Sequence, residues 1–182
     1  MPLHQYVYFA LFSRHTSAAE MAELLGIEPD EVSVRGSRST HPAVIPVEHS
    51  WKIVCREPGL RVDEQVAHVL DRLRPHADRI AGLAGQLSAE ESGGAVLEIV
   101  RYFNDVEHDQ EQLEPDSPEQ PPHLFGWHLD SDVLAFLAAT GAALDVDEYD
   151  MTPDEGIPAA GAGLPATTAE APTGPAEEDR SR

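Results

Sequence analysis

A single cysteine, Cys55, leaves this chain unable to close an internal disulfide or to build a paired-cysteine zinc site. Basic residues are scarce too: 12 Lys and Arg stand against 33 Asp and Glu, a formal net charge of −21. A field of that sign repels nucleic-acid phosphates and anionic membrane surfaces, so neither is an expected partner, and it favours encounters with a basic protein. No apolar run approaches the ~18 residues of a membrane span, and the opening "MPLHQYVYFALFSRH" lacks the basic region and sustained apolar stretch of a secretory signal. The cytoplasm is the expected setting.

What is present reads as one domain with an appendage. Residues 5–13, "QYVYFALFS", are apolar on both faces of a strand, with Tyr6, Tyr8, Ala10 and Phe12 on one and Val7, Phe9 and Leu11 on the other. That pattern predicts a central strand covered on both sides. Ser17 and Glu20 fit a capping box at the start of a helix whose buried stripe is Met21, Leu24 and Leu25, ended by Gly26. A proline- and glycine-punctuated loop of about twenty residues follows, long enough to suggest a role. Trp51, Ile53 and Cys55 then alternate with Lys52, Val54 and Arg56 in a strand with one strongly apolar face, where Cys55 is expected to be a buried, inert thiol. From Val62 to Leu87 apolar residues recur at three- and four-residue steps across Pro75, which predicts one kinked helix or two abutting ones.

"GAVLEIVRYFN" (94–104) is expected to be a strand, "LFGWHLD" a short further strand, "DVLAFLAATG" a helix capped by Asp130 or Ser131, and "AALDVDEYD" the last strand. The first and last helices share the same spacing to their closing glycines, a suggestive echo between two strand–helix–strand units. The segment 105–121 is acidic and almost free of apolar residues, so a mobile insert is expected there. After residue 150, alanine, proline, glycine and threonine dominate, which predicts a disordered tail over 151–182. The domain proper is 1–150.

Motifs that carry chemistry are few. The nine histidines include His123 and His128, with Asp130 following and His108-Asp109 before, but no His-Glu-x-x-His motif. On a strand His123 would face away from His128, so no metal site and no cofactor are expected. No nucleophile-elbow pattern surrounds any serine, and "RGSRS" is not a phosphate-cradling loop. Asp145 and Asp147 share a strand face, a pair that sheet edges commonly leave solvated. Trp51 and Trp127 are expected to pack in the core rather than stack on a ligand.

The basic residues are more informative. Arg14 ends the first strand, Arg35 and Arg38 flank Gly36 in the long loop, and Lys52 and Arg56 lie opposite the Trp51 face. They form either a basic patch on an acidic body or a scatter of local pairs with nearby carboxylates, each contributing about 0–1 kcal/mol. Local pairing is the preferred reading.

The ordered set "YFALFSRHTSAAEMAELLGIEPDEVSVRG", "HSWKIVCRE", "VDEQVAHVLDRLRP" and "GWHLDSDVLAFLAATGAALDVDEYD" resembles a family of bacterial domains, domain of unknown function 4279, over about residues 5–150. The resemblance implies an α+β fold and matches Gly36, the Trp51 strand and the closing Asp147 and Tyr149; it implies no activity. The expected architecture is a two-layer α+β sandwich, with a mainly antiparallel sheet of four or five strands carrying one long and two shorter helices. The leading functional expectation is a non-enzymatic interaction module for a basic protein, by analogy immunity-like. The alternative is a sensor or enzyme for a small anion, using Arg14, Arg35 and Arg38.

Overall fold

The structure, a computed structural model, describes residues 3–38, 45–90, 92–105 and 125–152. The acidic stretch 106–121, with His108 and Asp109, lies outside them, as do His123 and the tail from residue 153. Five strands form one sheet in the order β2–β3–β1–β4–β5. They are β1 (Leu3–Ser13), β2 (Glu31–Ser33), β3 (His49–Cys55), β4 (Gly94–Phe103) and β5 (Ala143–Asp150). All neighbours are antiparallel except β4 and β5, which run parallel. The helices are α1 (Ala18–Leu25), α2 (Val62–Leu73), α3 (Ala77–Ser88) and α4 (Ser131–Thr140). The fold is α+β with a mostly antiparallel sheet.

β1 sits in the middle, as its apolar composition predicts, but its two faces differ. Val7, Phe9 and Leu11 are fully buried and meet Trp51, Ile53, Leu97 and Ile99 in the single core beneath the helices. The other face, with Tyr6, Tyr8 and Phe12, is only half-buried and carries no helix among the described residues. The apolar stripe from Val62 to Leu87 is buried along its length, Ala77 being half-buried. At Pro75 the helix breaks into α2 and α3 through one 3-10 turn, Arg74–His76, because proline can neither donate a backbone hydrogen bond nor clear the preceding turn.

Three local expectations are corrected. "LFGWHLD" is not a strand: residues 125–130 run as coil, and Asp130 serves instead as the N-cap of α4, accepting from the Val133 N–H at 2.8 Å. Trp127 therefore packs against the core from a coil segment. The fifth strand comes from inside the long loop, where Glu31–Ser33 pairs with Ser50–Lys52. Leu24 is 57% exposed, since Ala18, Met21 and Leu25 form the buried stripe of α1 and Leu24 lies roughly a quarter-turn away from it. With coil rather than strand at 125–130, directly before α4, the echo among the described residues reduces to two helices of similar capping.

The capping box of α1 is present. The Ser17 hydroxyl accepts from the Glu20 N–H, and the Glu20 carboxylate accepts from the Ser17 N–H at 2.8 Å. Those bonds to Ser17 hold the Glu20 carboxyl below the usual carboxylate range. At the other end Gly26 adopts φ 66°, and the Arg79 guanidinium donates to the Leu25 carbonyl at 2.7 Å. Replacing Ser17 with alanine is expected to cost about 1 kcal/mol, read as a lower urea midpoint at unchanged slope.

Candidate functional site

Strand alternation and register decide what the helix-free face displays. Tyr6, Tyr8, Ala10 and Phe12 of β1 point there, and so do their β4 neighbours Val100, Glu98 and Val96. Tyr102 lies across from His4, and the parallel pairing places Asp145 beside Glu98, Asp147 beside Val100 and Tyr149 beside Tyr102. From β3 come Ser50 and Lys52, from β2 Glu31 and Ser33. The chain has four tyrosines. All four lie on this face.

The rings form a row. Tyr6 and Tyr102 stack with centroids 6.5 Å apart, and Tyr102 and Tyr149 stack at 5.1 Å with planes 15° apart. Two of the rings carry cations from the chain itself: the Lys52 ammonium lies 3.9 Å above Tyr8, and the Arg56 guanidinium 3.9 Å above Tyr6. A ring quadrupole attracts positive charge in this geometry, by about 0.5–1 kcal/mol when exposed. Among the described residues, no lysine or arginine lies over Tyr102 or Tyr149; the His4 ring stacks on Tyr102, with centroids 5.6 Å apart.

The carboxylates divide in the same way. Glu31 pairs with Arg56 at 3.0 Å, and Glu98 accepts the Tyr8 hydroxyl beside Lys52. Asp145 and Asp147 have only local hydrogen bonds. Asp145 accepts from the Val146 N–H at 2.9 Å, and Asp147 from the Tyr149 hydroxyl at 3.1 Å. One half of the face is internally neutralised. The β5 half is not.

Between the halves runs a groove of about 610 Å³, floored by Tyr8, Ala10, Phe12 and Val96 and bounded by Ile45, Pro46 and Val47 on one side and Ala143 and Asp145 on the other. Ser50 lines it, and its buried hydroxyl has no hydrogen-bond partner among the described residues. The volume falls within the ~300–1,000 Å³ of ligand clefts, with apolar walls and few polar groups.

Burial, then the hydrogen bond to Glu98, push the Tyr8 hydroxyl far above its ordinary 10.0. Burial also lowers the Lys52 ammonium, against the opposing pull of Glu98 and Glu31. A raised tyrosine contributes stability that is complete below pH 10 and is lost as the pH rises beyond it, because the unfolded chain ionises first. Lys52 has the opposite sign in a lower window: with its folded pKa depressed, its burial penalty is relieved as the pH rises towards 10.5. Stability is therefore expected to fall more steeply above pH 10 in the wild type than in Tyr8→Phe, measured as urea midpoints against pH.

The five basic residues are not gathered into one patch. Arg56 and Lys52 are engaged on the tyrosine face. Arg35 donates from its guanidinium to the Arg14 carbonyl at 3.1 Å, and its N–H to His49 Nδ1 at 3.2 Å. Arg38 is exposed. Gly36 has φ 74° and its N–H donates to the Pro46 carbonyl at 2.9 Å, so the glycine serves backbone geometry, closing the loop. Cys55 is buried with its sulfur 3.7 Å from His68 Nδ1. Glu57 approaches that same nitrogen at 3.6 Å, so the three cannot form a thiol–imidazole–carboxylate relay, which needs both ring nitrogens. Among the described residues no group of three or more His, Cys, Asp or Glu could hold a metal ion.

Sequence reading found Tyr6 and Tyr8 on one strand face and Asp145 and Asp147 on another, but not that they share a surface with Tyr102 and Tyr149. The signal was the matching alternation in β4 and β5; the missing information was the register.

These features define an α+β domain with its helices on one side and a tyrosine-rich, acid-edged face on the other. The family model for domain of unknown function DUF4279 matches residues 3–151, and the chain belongs to that family. Comparison with curated proteins and with solved structures returns no match. Among the described residues no helix is long and apolar enough to cross a membrane.

Proposed function

We propose that this domain is a non-enzymatic interaction module of the cytoplasm that binds a basic protein through the helix-free face of its sheet. The observation that carries the reading is the β5 half of that face. There Asp145 and Asp147, without cationic partners among the described residues, lie beside the Tyr102–Tyr149 stack. Lys52 over Tyr8 and Arg56 over Tyr6 display, within one chain, the contact a partner's lysine or arginine would make next door. The net charge of −21 would steer such a partner towards the domain. Neutralising a basic toxin, as an immunity protein does, is the sharpest form of this function.

The test is affinity capture from the native host at low and high salt, with wild type and with Asp145→Asn/Asp147→Asn. The expected result is a basic protein recovered in one-to-one ratio at low salt, released at high salt and lost with the double variant. Capture that the double variant leaves intact would refute the reading. A melting-temperature rise with phosphates or carboxylates that Arg35→Ala abolishes would move the site to the arginine loop.

A further inference from the structure

The mode of docking can be read from the edge of the sheet. Among the described residues β5 has β4 on one side and no strand on the other. It is eight residues long and exposed except at the half-buried Asp147. The outward N–H and C=O groups of such an edge are a template for another strand. The Val146 N–H is held by the carboxylate of Asp145 in its own strand, a local substitute for the acceptor that a neighbouring strand would bring. The opposite edge, β2, has three residues, and its Glu31 is already paired with Arg56.

The two faces of β5 ask for different side chains. Asp145, Asp147 and Tyr149 point to the tyrosine face, whereas Leu144 and Val146 point to the other and are 42% and 37% exposed. Of the four acids on the strand, only Glu148 has a cationic partner among the described residues, Arg101 at 2.7 Å. A second copy of β5 would set acids against acids, which disfavours self-pairing. The geometry points to β5 as the docking edge for an extended basic segment of the partner, added as a sixth strand. Its lysines or arginines alternate with apolar residues: the first meet Asp145 and Asp147, the second cover Leu144 and Val146. The charge of the occupant rests on the proposed function; the strand geometry does not.

Three octapeptides of lysine and valine test this with the full chain at low salt, followed by amide chemical shifts and exchange. One alternates the two residues, one has them in two blocks, and one alternates them with every second backbone amide N-methylated, prepared in both phases. The alternating peptide is expected to perturb residues 143–150 and slow the exchange of the Val146 amide. The block peptide and at least one N-methylated phase should bind about tenfold more weakly or less, as expected when backbone pairing is lost. Equal binding by all of them would overturn strand addition while leaving the basic partner standing. Tight binding by a further control octapeptide, alternating serine with valine, would keep strand addition and remove the basic partner. No perturbation of 143–150 by the alternating peptide at millimolar concentration overturns the inference, as does a dimer formed through β5 at neutral pH.

Discussion

Replacing Trp51 with alanine is expected to destabilise the domain by about 3–5 kcal/mol, the range for losing a large aromatic side chain from a core. Trp51 is fully buried, paired with Leu11 across β1 and with Val32 across β2, and its indole N–H donates to the Ile27 carbonyl at 3.2 Å. That bond ties the segment after α1 to the middle of β3, so the substitution removes packing and leaves a carbonyl without its donor. Domains of this size are stable by about 5–15 kcal/mol, and the loss would consume a large share of that. Trp51→Phe should recover much of the packing but not the hydrogen bond, leaving about 1–2 kcal/mol of the deficit. The check is urea unfolding followed by circular dichroism. A loss below about 0.5 kcal/mol would mean that Trp51 is not a core residue, and the packing described above would be wrong.

The second large effect falls on binding. Asp145→Lys with Asp147→Lys is expected to weaken the basic partner by at least about 100-fold, mainly through faster dissociation, because both close charge contacts become repulsive. Folding should be spared, since both carboxylates make only local hydrogen bonds at the sheet edge. The decisive control is Glu23→Lys with Glu28→Lys, two exposed positions away from the face. Both double variants shift the net charge from −21 to −17, so a loss caused by the overall field would appear equally in the two. The control should change affinity by no more than about threefold, and mostly through association. Calorimetric or surface-based titration of the two proteins against the captured partner separates these outcomes.

Both effects trace back to how strand composition and register combine. The core half of the fold was legible because burial imposes period: the Val62–Leu87 stripe and the Trp51–Ile53–Cys55 alternation each name their inward face. Caps were legible where chemistry is local, as at Ser17, Glu20, Gly26 and Gly141. β2 was hidden because three residues, Glu31–Ser33, are too few to show alternation, and their strand geometry comes from β3. "LFGWHLD" has the composition of a strand, yet the Phe125 carbonyl accepts from Arg101 at 3.2 Å and the Asp130 carboxylate caps α4, so these two acceptors find partners outside a ladder.

The candidate site was half legible. Tyr6 and Tyr8 alternate visibly, as do Asp145, Asp147 and Tyr149. Their meeting on one surface depends on β1 and β5 flanking β4, a long-range pairing that no local signal specifies. The arginines drew attention because the chain is acidic, with 33 Asp and Glu against 12 Lys and Arg. Arg56 pairs with the Glu31 carboxylate and lies over Tyr6, whereas Arg35 donates to the Arg14 backbone carbonyl rather than to a carboxylate.

Hydrogen exchange on the one-to-one complex captured at low salt tests the central claim most directly. The face described here predicts slowed exchange concentrated in residues 94–103 and 143–150, with 14–17 and 34–38 unchanged. Slowing confined to 14–17 and 34–38, with β4 and β5 unaffected, would contradict it.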